Sequence, residues 1–274
     1  MRSRPKHAGT VAFVGAGPGD PGLLTLRAVE LLGRADVVIS DAPPIPEIAR
    51  HFRDDVIVVD LSAGEPSQPP TKAERTKAVV DAAKSGKSVV RLLMGDPLLD
   101  GEGTDEAIAC AKAKIAFEIV PGVPVAAAVP SYAGIALTDA KHREVRVIDA
   151  GSSASGPDWR SIASGPQTLV LIGVDSFAAT AEALVQHGRS ADTAVTATRA
   201  GTTTEQHTVV STLGALATDA KAAGLVGPAV LVVGDVVKSR AALSWFETKA
   251  LFGWHVLVPR TNEQAGVLSE KLRA

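Results

Sequence analysis

Four aspartates stand where apolar runs of the sequence end. Asp20 closes the glycine-rich turn at 15–19, Asp41 follows a second apolar run, and Asp96 and Asp100 belong to a second glycine turn. A carboxylate in such a place can bind polar groups of a ligand or accept a proton during catalysis. It can equally cap a helix, because its oxygen accepts a hydrogen bond from a backbone N–H of the first turn. Residue type alone leaves both roles open.

The first glycine turn has the sequence GAGPGD and follows the apolar residues 11–14. Its three glycines allow positive φ and leave room for a ligand beside the main chain. We therefore expect a ligand at the carboxyl end of this strand. A dinucleotide is one candidate, since the spacing begins G-x-G and Asp41 lies roughly where an acidic ribose partner would sit. Against it, the third glycine is misplaced and Pro18 removes an amide donor. A strand-to-helix turn without a ligand is the remaining alternative.

Several other kinds of chemistry lack their sequence patterns. The six histidines are scattered without the spacing of metal ligands, so no metal site is predicted. Neither a G-x-S-x-G elbow nor a Walker A pattern occurs, which disfavours covalent catalysis and phosphoryl transfer. The single cysteine, Cys110, rules out an internal disulfide and fits a reducing cytoplasm. Its Ala-rich surroundings favour a packed core thiol over a nucleophile.

The elements that would position the aspartates alternate between strand and helix. Apolar runs predict strands at 11–14, 35–39, 55–60, 88–93 and 117–120, with helices at about 23–32, 71–85 and 101–114. Residues 121–124 open a further Ala-rich helix through residue 128, and residues 62–71 predict a long loop. Such alternation is typical of a mostly parallel sheet that helices cover on both faces.

The second half of the chain repeats the alternation with a different character. Strands are predicted at 144–148, 168–172, 194–198, 209–212 and 229–233, and helices at 177–187 and up to about 223. A hairpin-like turn at 201–206 makes this half mixed rather than purely parallel. We predict domains at 1–139 and 140–247, followed at 248–274 by a linker and the start of a new strand and helix.

Composition restricts the partners. With 274 residues, 46% of them hydrophobic, the chain is long enough for two ordinary globular domains. A formal net charge of −2 gives no basic surplus, so neither nucleic acid nor an anionic membrane is implied. No apolar stretch has the length of a membrane span, and no export signal is recognisable at the start.

Five ordered blocks of sequence resemble the tetrapyrrole methylase family, most closely its uroporphyrinogen-III C-methyltransferases. The resemblance runs from about Val11 to Phe246, and its blocks are VGAGPGDPGLLTLRAVELLGRADVV, VVRLLMGDP, EIVPGVPVAAAVPSYAGIALT, GTTTEQHTVVSTL and GPAVLVVGDVV. It implies a fold of two α/β domains, of the class III methyltransferase type, with the ligand site in the cleft between them. A homodimer is also implied.

The resemblance also implies a cofactor and its contacts. The methyl donor would be S-adenosyl-L-methionine, leaving S-adenosyl-L-homocysteine as product, and the acceptor a tetrapyrrole, uroporphyrinogen III. Matching positions assign six residues to the cofactor: Pro18, Gly95, Asp96, Leu99, Gly201 and Ala229. Asp41 matches the carboxylate that acts as proton acceptor. The implied reaction is methyl transfer to a nucleophilic pyrrole carbon followed by loss of a proton from the substrate, with no covalent enzyme intermediate.

Departures from the family pattern concern the substrate side. Arginines are expected at three positions that here hold Ala42, Ser62 and Glu102, and Leu61 replaces a catalytic lysine. Because a porphyrinogen carries carboxylates, each lost charge-assisted contact could cost on the order of 1.5 to 3 kcal/mol. The alternative to an active enzyme is therefore a catalytically degenerate module that dimerises or regulates a fused domain.

The tail supplies that candidate domain. Residues 249–274, KALFGWHVLVPRTNEQAGVLSEKLRA, resemble the opening strand and helix of uroporphyrinogen-III synthase, which some chains carry behind a methyltransferase domain. The tail therefore predicts a fusion, in the context of haem, sirohaem or cobalamin precursor synthesis.

Overall fold

The chain divides into two compact units, residues 1–125 and 126–274, and each contains one five-stranded sheet. The computed structural model describes residues 9–62, 70–99, 103–151, 156–254, 256–257, 268 and 272. The predicted boundary at 139/140 lies later in the chain than the division after Val125. Asp100, Glu102, most of the long loop at 62–71 and most of the tail lie outside the described residues.

The first unit contains a fully parallel sheet in the order β3-β2-β4-β1-β5. Its elements are β1 Thr10–Gly15, α1 Leu26–Leu32, β2 Val37–Ser40, α2 Pro46–Ala49, β3 Ile57–Asp60, α3 Lys72–Lys84, β4 Ser88–Leu93, α4 Gly103–Lys112 and β5 Ala116–Val120. The prediction of a parallel sheet is confirmed, and β4 has the predicted bounds.

Polar side chains that cap the first turn determine where two of these helices begin. The first helix starts at Leu26 rather than near residue 23, because Thr25 caps it by accepting a hydrogen bond from the Ala28 N–H at 3.1 Å. Thr71 and Glu74 form a reciprocal capping box at the start of α3, in which the Glu74 carboxylate accepts from the Thr71 N–H at 2.8 Å.

Alternate residues of the strands point to opposite faces of the first sheet, and both faces are covered. Phe13 and Val89 belong to a buried cluster that includes residues of α3 and α4. Val14 and Val90 belong to a second cluster that includes residues of α1 and α2. Near-continuous apolar strands are therefore required, as a doubly covered parallel sheet demands.

The connections leave the carboxyl ends of β1 and β4 in opposite directions. From β1 the chain passes through α1 on one face to reach β2, while from β4 it passes through α4 on the other face to reach β5. Because β1 and β4 are neighbours, the direction of the connections changes between them at the carboxyl edge. Such a topological switch point is where open α/β sheets bind ligands.

The second unit contains a mixed sheet in the order β6-β7-β10-β8-β9, as predicted. Only β6 and β7 are parallel; the other neighbours are antiparallel. After α5 Val125–Tyr132, which begins at the division, the elements are β6 Val145–Asp149, α6 Trp159–Ala163, β7 Thr168–Val174, α7 Phe177–Gln186, β8 Ala194–Arg199, β9 His207–Thr212, α8 Leu216–Ala222, β10 Ala229–Val233 and α9 Arg240–Leu243. The predicted hairpin turn joins β8 to β9.

Only part of the tail belongs to the described residues. Residues 251–253 form turns where the new strand was expected to begin, and the predicted helix lies almost wholly outside the described residues. Within the described part of the chain, no helix is long and apolar enough to cross a membrane.

Candidate functional site

The two glycine turns of the first unit are hydrogen-bonded to each other at the switch point. Gly17 and Gly95 form a two-way backbone bridge, with Gly95 N donating to Gly17 O at 2.9 Å and Gly17 N donating to Gly95 O at 3.3 Å. Both residues have positive φ, +72° and +61°. The turn that follows β1 is thereby held against the turn that follows β4, as glycine permits at such angles.

Close backbone packing explains other glycines at the same edge. A Cβ atom on Gly122 would lie 2.1 Å from Gly95 O and 2.8 Å from Gly15 Cα. A Cβ on Gly15 would lie 2.5 Å from both Gly122 N and Gly95 O. The backbones that follow β1, β4 and β5 therefore touch directly, and glycine at 15 and 122 serves the packing of the chain on itself.

A concave pocket of about 190 Å³ opens where β1, β2 and β4 end. Its lining is mostly apolar, and Asp41 is the one charged side chain among the described residues that line it. Pro18 lines the same pocket, so the structure brings the predicted proton acceptor and a predicted cofactor contact together. The other lining residues are Ala16, Gly17, Gly19, Ser40, Ala42, Pro43, Pro44, Ile45, Ile48, Leu92, Leu93 and Met94.

The Asp41 carboxylate is held by a buried arginine. Arg91 Nη2 donates to both Asp41 oxygens at 2.8 Å. Arg91 is fully buried, whereas the Asp41 side chain is 45% exposed, so one side of the carboxylate is fixed and the other is accessible. Arg91 also pairs with Glu106, which is 2% exposed. A buried guanidinium is thus compensated by two carboxylates, as a charge in a sheet interior requires.

Sequence reasoning missed Arg91 and Glu106, although the sequence contains a signal for the first. The β4 strand reads SVVRLL, an apolar run with one charge in it. A strand at the centre of a parallel sheet is buried on both faces, so Arg91 had to have a carboxylate partner. No local pattern identifies that partner.

Asp96 and Leu99, two predicted cofactor contacts, lie in the turn after β4. The Asp96 carboxylate accepts from the N–H groups of Leu98 at 2.9 Å, Leu99 at 3.2 Å and Gly122 at 3.2 Å. It therefore orders the turn and ties it to Gly122, the second residue after β5. Asp20 has a similar capping bond, from Gly22 N at 2.7 Å. Leu99 is 55% exposed, which leaves its side chain accessible.

Gly201 and Ala229, the remaining predicted contacts, belong to the second unit. Gly201 follows β8 and Ala229 begins β10, and the pairing of Thr198 with Val230 places both at one edge of that sheet. A Cβ on Gly201 would lie 2.6 Å from both methyl groups of Val129. Glycine is therefore needed for the approach of this turn to α5.

The turn around Gly201 is strained and strongly supported. Ala200 and Thr202 both have positive φ, +48° and +69°, a conformation that costs energy for residues with a Cβ. The Thr202 N–H donates to Gln206 Oε1 at 2.8 Å, and Gln206 Nε2 donates to Glu247 Oε1 at 2.8 Å. Glu247 is in turn paired with Arg240. This support was not predicted, because Glu247 lies far along the chain from the turn.

No group of three or more His, Cys, Asp or Glu side chains that could hold a metal ion occurs within the described ranges. The charged side chain that lines the pocket, Asp41, is instead connected through Arg91 to Glu106.

Comparisons with known proteins agree with this architecture. The sequence profile of the tetrapyrrole (corrin/porphyrin) methylases matches residues 10–217. A siroheme synthase of Sodalis glossinidius is 40% identical over 252 residues, which cover 90% of this chain and 53% of that protein. Siroheme synthase 1 of Klebsiella pneumoniae is 42% identical over 249 residues, which cover 88% and 52%. The chain thus spans about half the length of these relatives.

A solved structure is similar to this chain over most of its length. The uroporphyrin-III C-methyltransferase of Thermus thermophilus, in complex with S-adenosylhomocysteine, is 29% identical, with a TM-score of 0.69 over 84% of this chain and 99% of that one. The architecture of two α/β units is that of the class III tetrapyrrole methyltransferases, as predicted. With a family profile that covers most of its length, this chain belongs to the tetrapyrrole (corrin/porphyrin) methylase family.

Proposed function

We propose that this chain is an S-adenosylmethionine-dependent C-methyltransferase that acts on uroporphyrinogen III. The observation that carries the proposal is the Asp41 carboxylate, half exposed in the pocket that Pro18 also lines and fixed from behind by Arg91. A proton acceptor has to be held in position and remain accessible, and the supporting observation is that Arg91 holds Asp41 on one side while 45% of its side chain is exposed.

The comparisons support the choice of reaction. The related siroheme synthases and the Thermus methyltransferase carry names that place them in tetrapyrrole chemistry, and the latter binds S-adenosylhomocysteine in its crystal. That molecule is what remains of S-adenosylmethionine after methyl transfer, so its use by a relative supports the same donor here.

The residues at the two turns fit a nucleoside cofactor. The turn after β1 has no side chain at Gly17 or Gly19, and the surrounding pocket wall is mostly apolar. Small-molecule sites combine such apolar walls with few polar groups. From the matching positions of the family, we propose Pro18, Gly95, Asp96, Leu99, Gly201 and Ala229 as the residues that contact the cofactor.

Asp41 would perform the proton transfer. S-adenosylmethionine held there would supply an electrophilic methyl group to the pyrrole carbon, with S-adenosylhomocysteine as the leaving group. Asp41 would take the proton that the methylated substrate loses. Arg91 keeps both carboxylate oxygens in place with two hydrogen bonds of 2.8 Å, so the acceptor requires little reorganisation.

Calorimetry with S-adenosylhomocysteine and a radiolabelled methyl-transfer assay on uroporphyrinogen III test the proposal. Asp41→Asn should retain binding and lower turnover by about 10²- to 10⁴-fold, since a positioned base contributes that much. Asp55→Asn is the matched control, because Asp55 is also paired with an arginine, at 2.7 Å, but is 71% exposed and outside the pocket. Binding without turnover in the unaltered chain would instead favour the degenerate module.

We also propose that the chain forms a homodimer and that its tail opens a uroporphyrinogen-III synthase domain. Both follow from the sequence resemblance, the second from residues 249–274. Light scattering decides the first, since a monomer of 28.1 kDa would contradict it. The intact mass of the native protein decides the second, because a native mass of 28.1 kDa leaves no room for a synthase domain.

A further inference from the structure

Glu106 is a buried carboxylate with no role of its own in the proposed reaction. It lies in the first turn of α4, and its side chain is 2% exposed. Glutamate is rarely buried to this extent unless it is paired. Its partner is Arg91, the residue that also holds Asp41.

The two carboxylates contact different sides of the same guanidinium. Glu106 accepts side-on, from Arg91 Nε at 2.8 Å and from Nη2 at 3.2 Å. Asp41 accepts end-on, with both oxygens 2.8 Å from Nη2. Arg91 Nη1 donates to Leu92 O at 3.2 Å. Because the guanidinium is a rigid planar fork, a carboxylate that fixes one side also fixes the direction of the other.

A close approach of α4 to the turn after β4 places Glu106 beside Arg91. A Cβ on Gly103, the first residue of α4, would lie 2.7 Å from Pro97 O and 3.0 Å from Leu93 Cδ1. Glycine at 103 lets the helix begin against the end of β4, and Glu106 follows three residues later, almost one turn along.

We propose that Glu106 is a positioning residue for the proton acceptor, acting on Asp41 through Arg91. The inference rests on the proposed function, since it assigns Glu106 to the acceptor of that reaction. Without the Glu106 carboxylate, Arg91 keeps its charge but loses the side-on bonds from Nε and Nη2, and only its bonds to Leu92 O and Asp41 remain. With fewer bonds to fix the guanidinium plane, its Nη2 group shifts, and the Asp41 carboxylate shifts with it.

The first test replaces Glu106 by glutamine, which keeps the shape of the side chain but replaces one of the oxygens that accept from Arg91 by an NH₂ group. We expect Glu106→Gln to lower kcat by about 10- to 100-fold, since a small misplacement of a catalytic group can cost that much. KM for S-adenosylmethionine and the affinity for S-adenosylhomocysteine should stay unchanged. Asp105→Asn is the matched control: it lies next in sequence on the same helix, is 65% exposed, and should leave kcat unchanged.

Two outcomes would overturn the inference. One is a kcat for Glu106→Gln equal to that of the unaltered chain, and the other is a parallel loss of cofactor affinity, which would indicate general distortion. Circular dichroism establishes that each variant is folded at the assay temperature. If Glu106→Gln does not fold, Glu106→Asp serves instead, because it keeps the charge while withdrawing the oxygens from Arg91, and the same loss of kcat is expected.

A double variant tests whether the effect passes through Arg91. If it does, Arg91→Met and Arg91→Met/Glu106→Gln should have the same kcat, because Glu106 has nothing left to orient. Losses of kcat that multiply would show that Glu106 acts by another route and would overturn the inference.

A spectroscopic measurement separates this inference from the proposed function. In carbon-detected NMR, the Asp41 carboxyl resonance should shift in Glu106→Gln and stay in place in Asp105→Asn. An unmoved Asp41 resonance in Glu106→Gln would overturn the positioning role. A chain that transfers no methyl group would refute the proposed function, and the Asp41 resonance would still decide whether Glu106 positions that carboxylate.

Discussion

Substitution of Gly122 by alanine should destabilise the protein through backbone contacts alone. The added Cβ would lie 2.1 Å from Gly95 O and 2.8 Å from Gly15 Cα, and neither atom can rotate away. Overpacking of this kind costs about 1–3 kcal/mol, and the upper end applies because the obstacles are backbone atoms. The lower entropy of the unfolded alanine chain offsets about 0.4–1 kcal/mol. The net loss in the free energy of unfolding is therefore about 2 kcal/mol.

Gly33→Ala is the matched control for this prediction. Gly33 has a φ of −70° at the end of α1, and a Cβ there would meet its nearest atoms at 3.5 Å, an ordinary contact. The control should gain the entropic term without the clash, so the two variants should differ by about 3 kcal/mol. With a slope of about 2 kcal/mol per molar urea, their unfolding midpoints should differ by about 1.5 M.

The measurement is urea unfolding of both variants, followed by circular dichroism and by tryptophan fluorescence. Since Gly122 packs on Gly95, Gly122→Ala should also weaken the binding of S-adenosylhomocysteine, whereas Gly33→Ala should not. Equal midpoints for the two variants would refute the view that glycine at 122 is required for chain packing at the switch point.

Three further predictions concern side chains away from the pocket. The hydrogen bond from the His142 side chain lowers the pKa of Asp139 to about 2, and two backbone N–H groups contribute to the shift. The ionised carboxylate therefore stabilises the fold fully at pH values above its ordinary pKa of 3.8. This contribution is lost as the pH falls through about 2. An NMR titration should show that midpoint, and His142→Ala should move it upward. Burial raises the pKa of the Cys110 thiol, so an aromatic disulfide reagent at pH 8 should label it in denaturant and not in the folded chain. Thr71→Ala removes one side of a capping box and should lower the free energy of unfolding, measured by urea denaturation, by about 1 kcal/mol. An unchanged midpoint of urea unfolding would contradict the capping role.

Apolar periodicity was sufficient to predict the sheets. The β4 strand has the predicted bounds 88–93 because it is a mostly apolar run between polar turns, and β10, which is apolar throughout, has the predicted bounds 229–233. The ends of helices were less predictable, since a single hydroxyl at Thr25 moves the start of α1. Local hydrogen bonds decide such ends, and the hydrophobic pattern does not contain them.

Long-range partners could not be predicted from the pattern. Arg91 is recognisable as a charge in a buried strand, but the choice of Glu106 depends on how closely α4 approaches the turn after β4. Gln206 and Glu247 are 41 residues apart, and their hydrogen bond exists only because the chain returns to the same place. In each case the sequence indicates that a buried polar side chain needs a partner, whereas the fold determines which residue that partner is.

The glycine turns were predicted from their room for a ligand, but the packing of the backbone also requires glycine there. Their spacing predicted room for a ligand, yet Gly15 and Gly122 are required because backbones touch there, and Gly17 and Gly95 because they bridge at positive φ. These packing demands are what bring the turns after β1 and β4 together at the switch point of the sheet. The same residues would be needed whether or not a methyl group is transferred, so the glycines argue for the fold. Within this unit, the argument for catalysis depends instead on Asp41, whose side chain remains 45% exposed in the pocket although Arg91 holds it from behind.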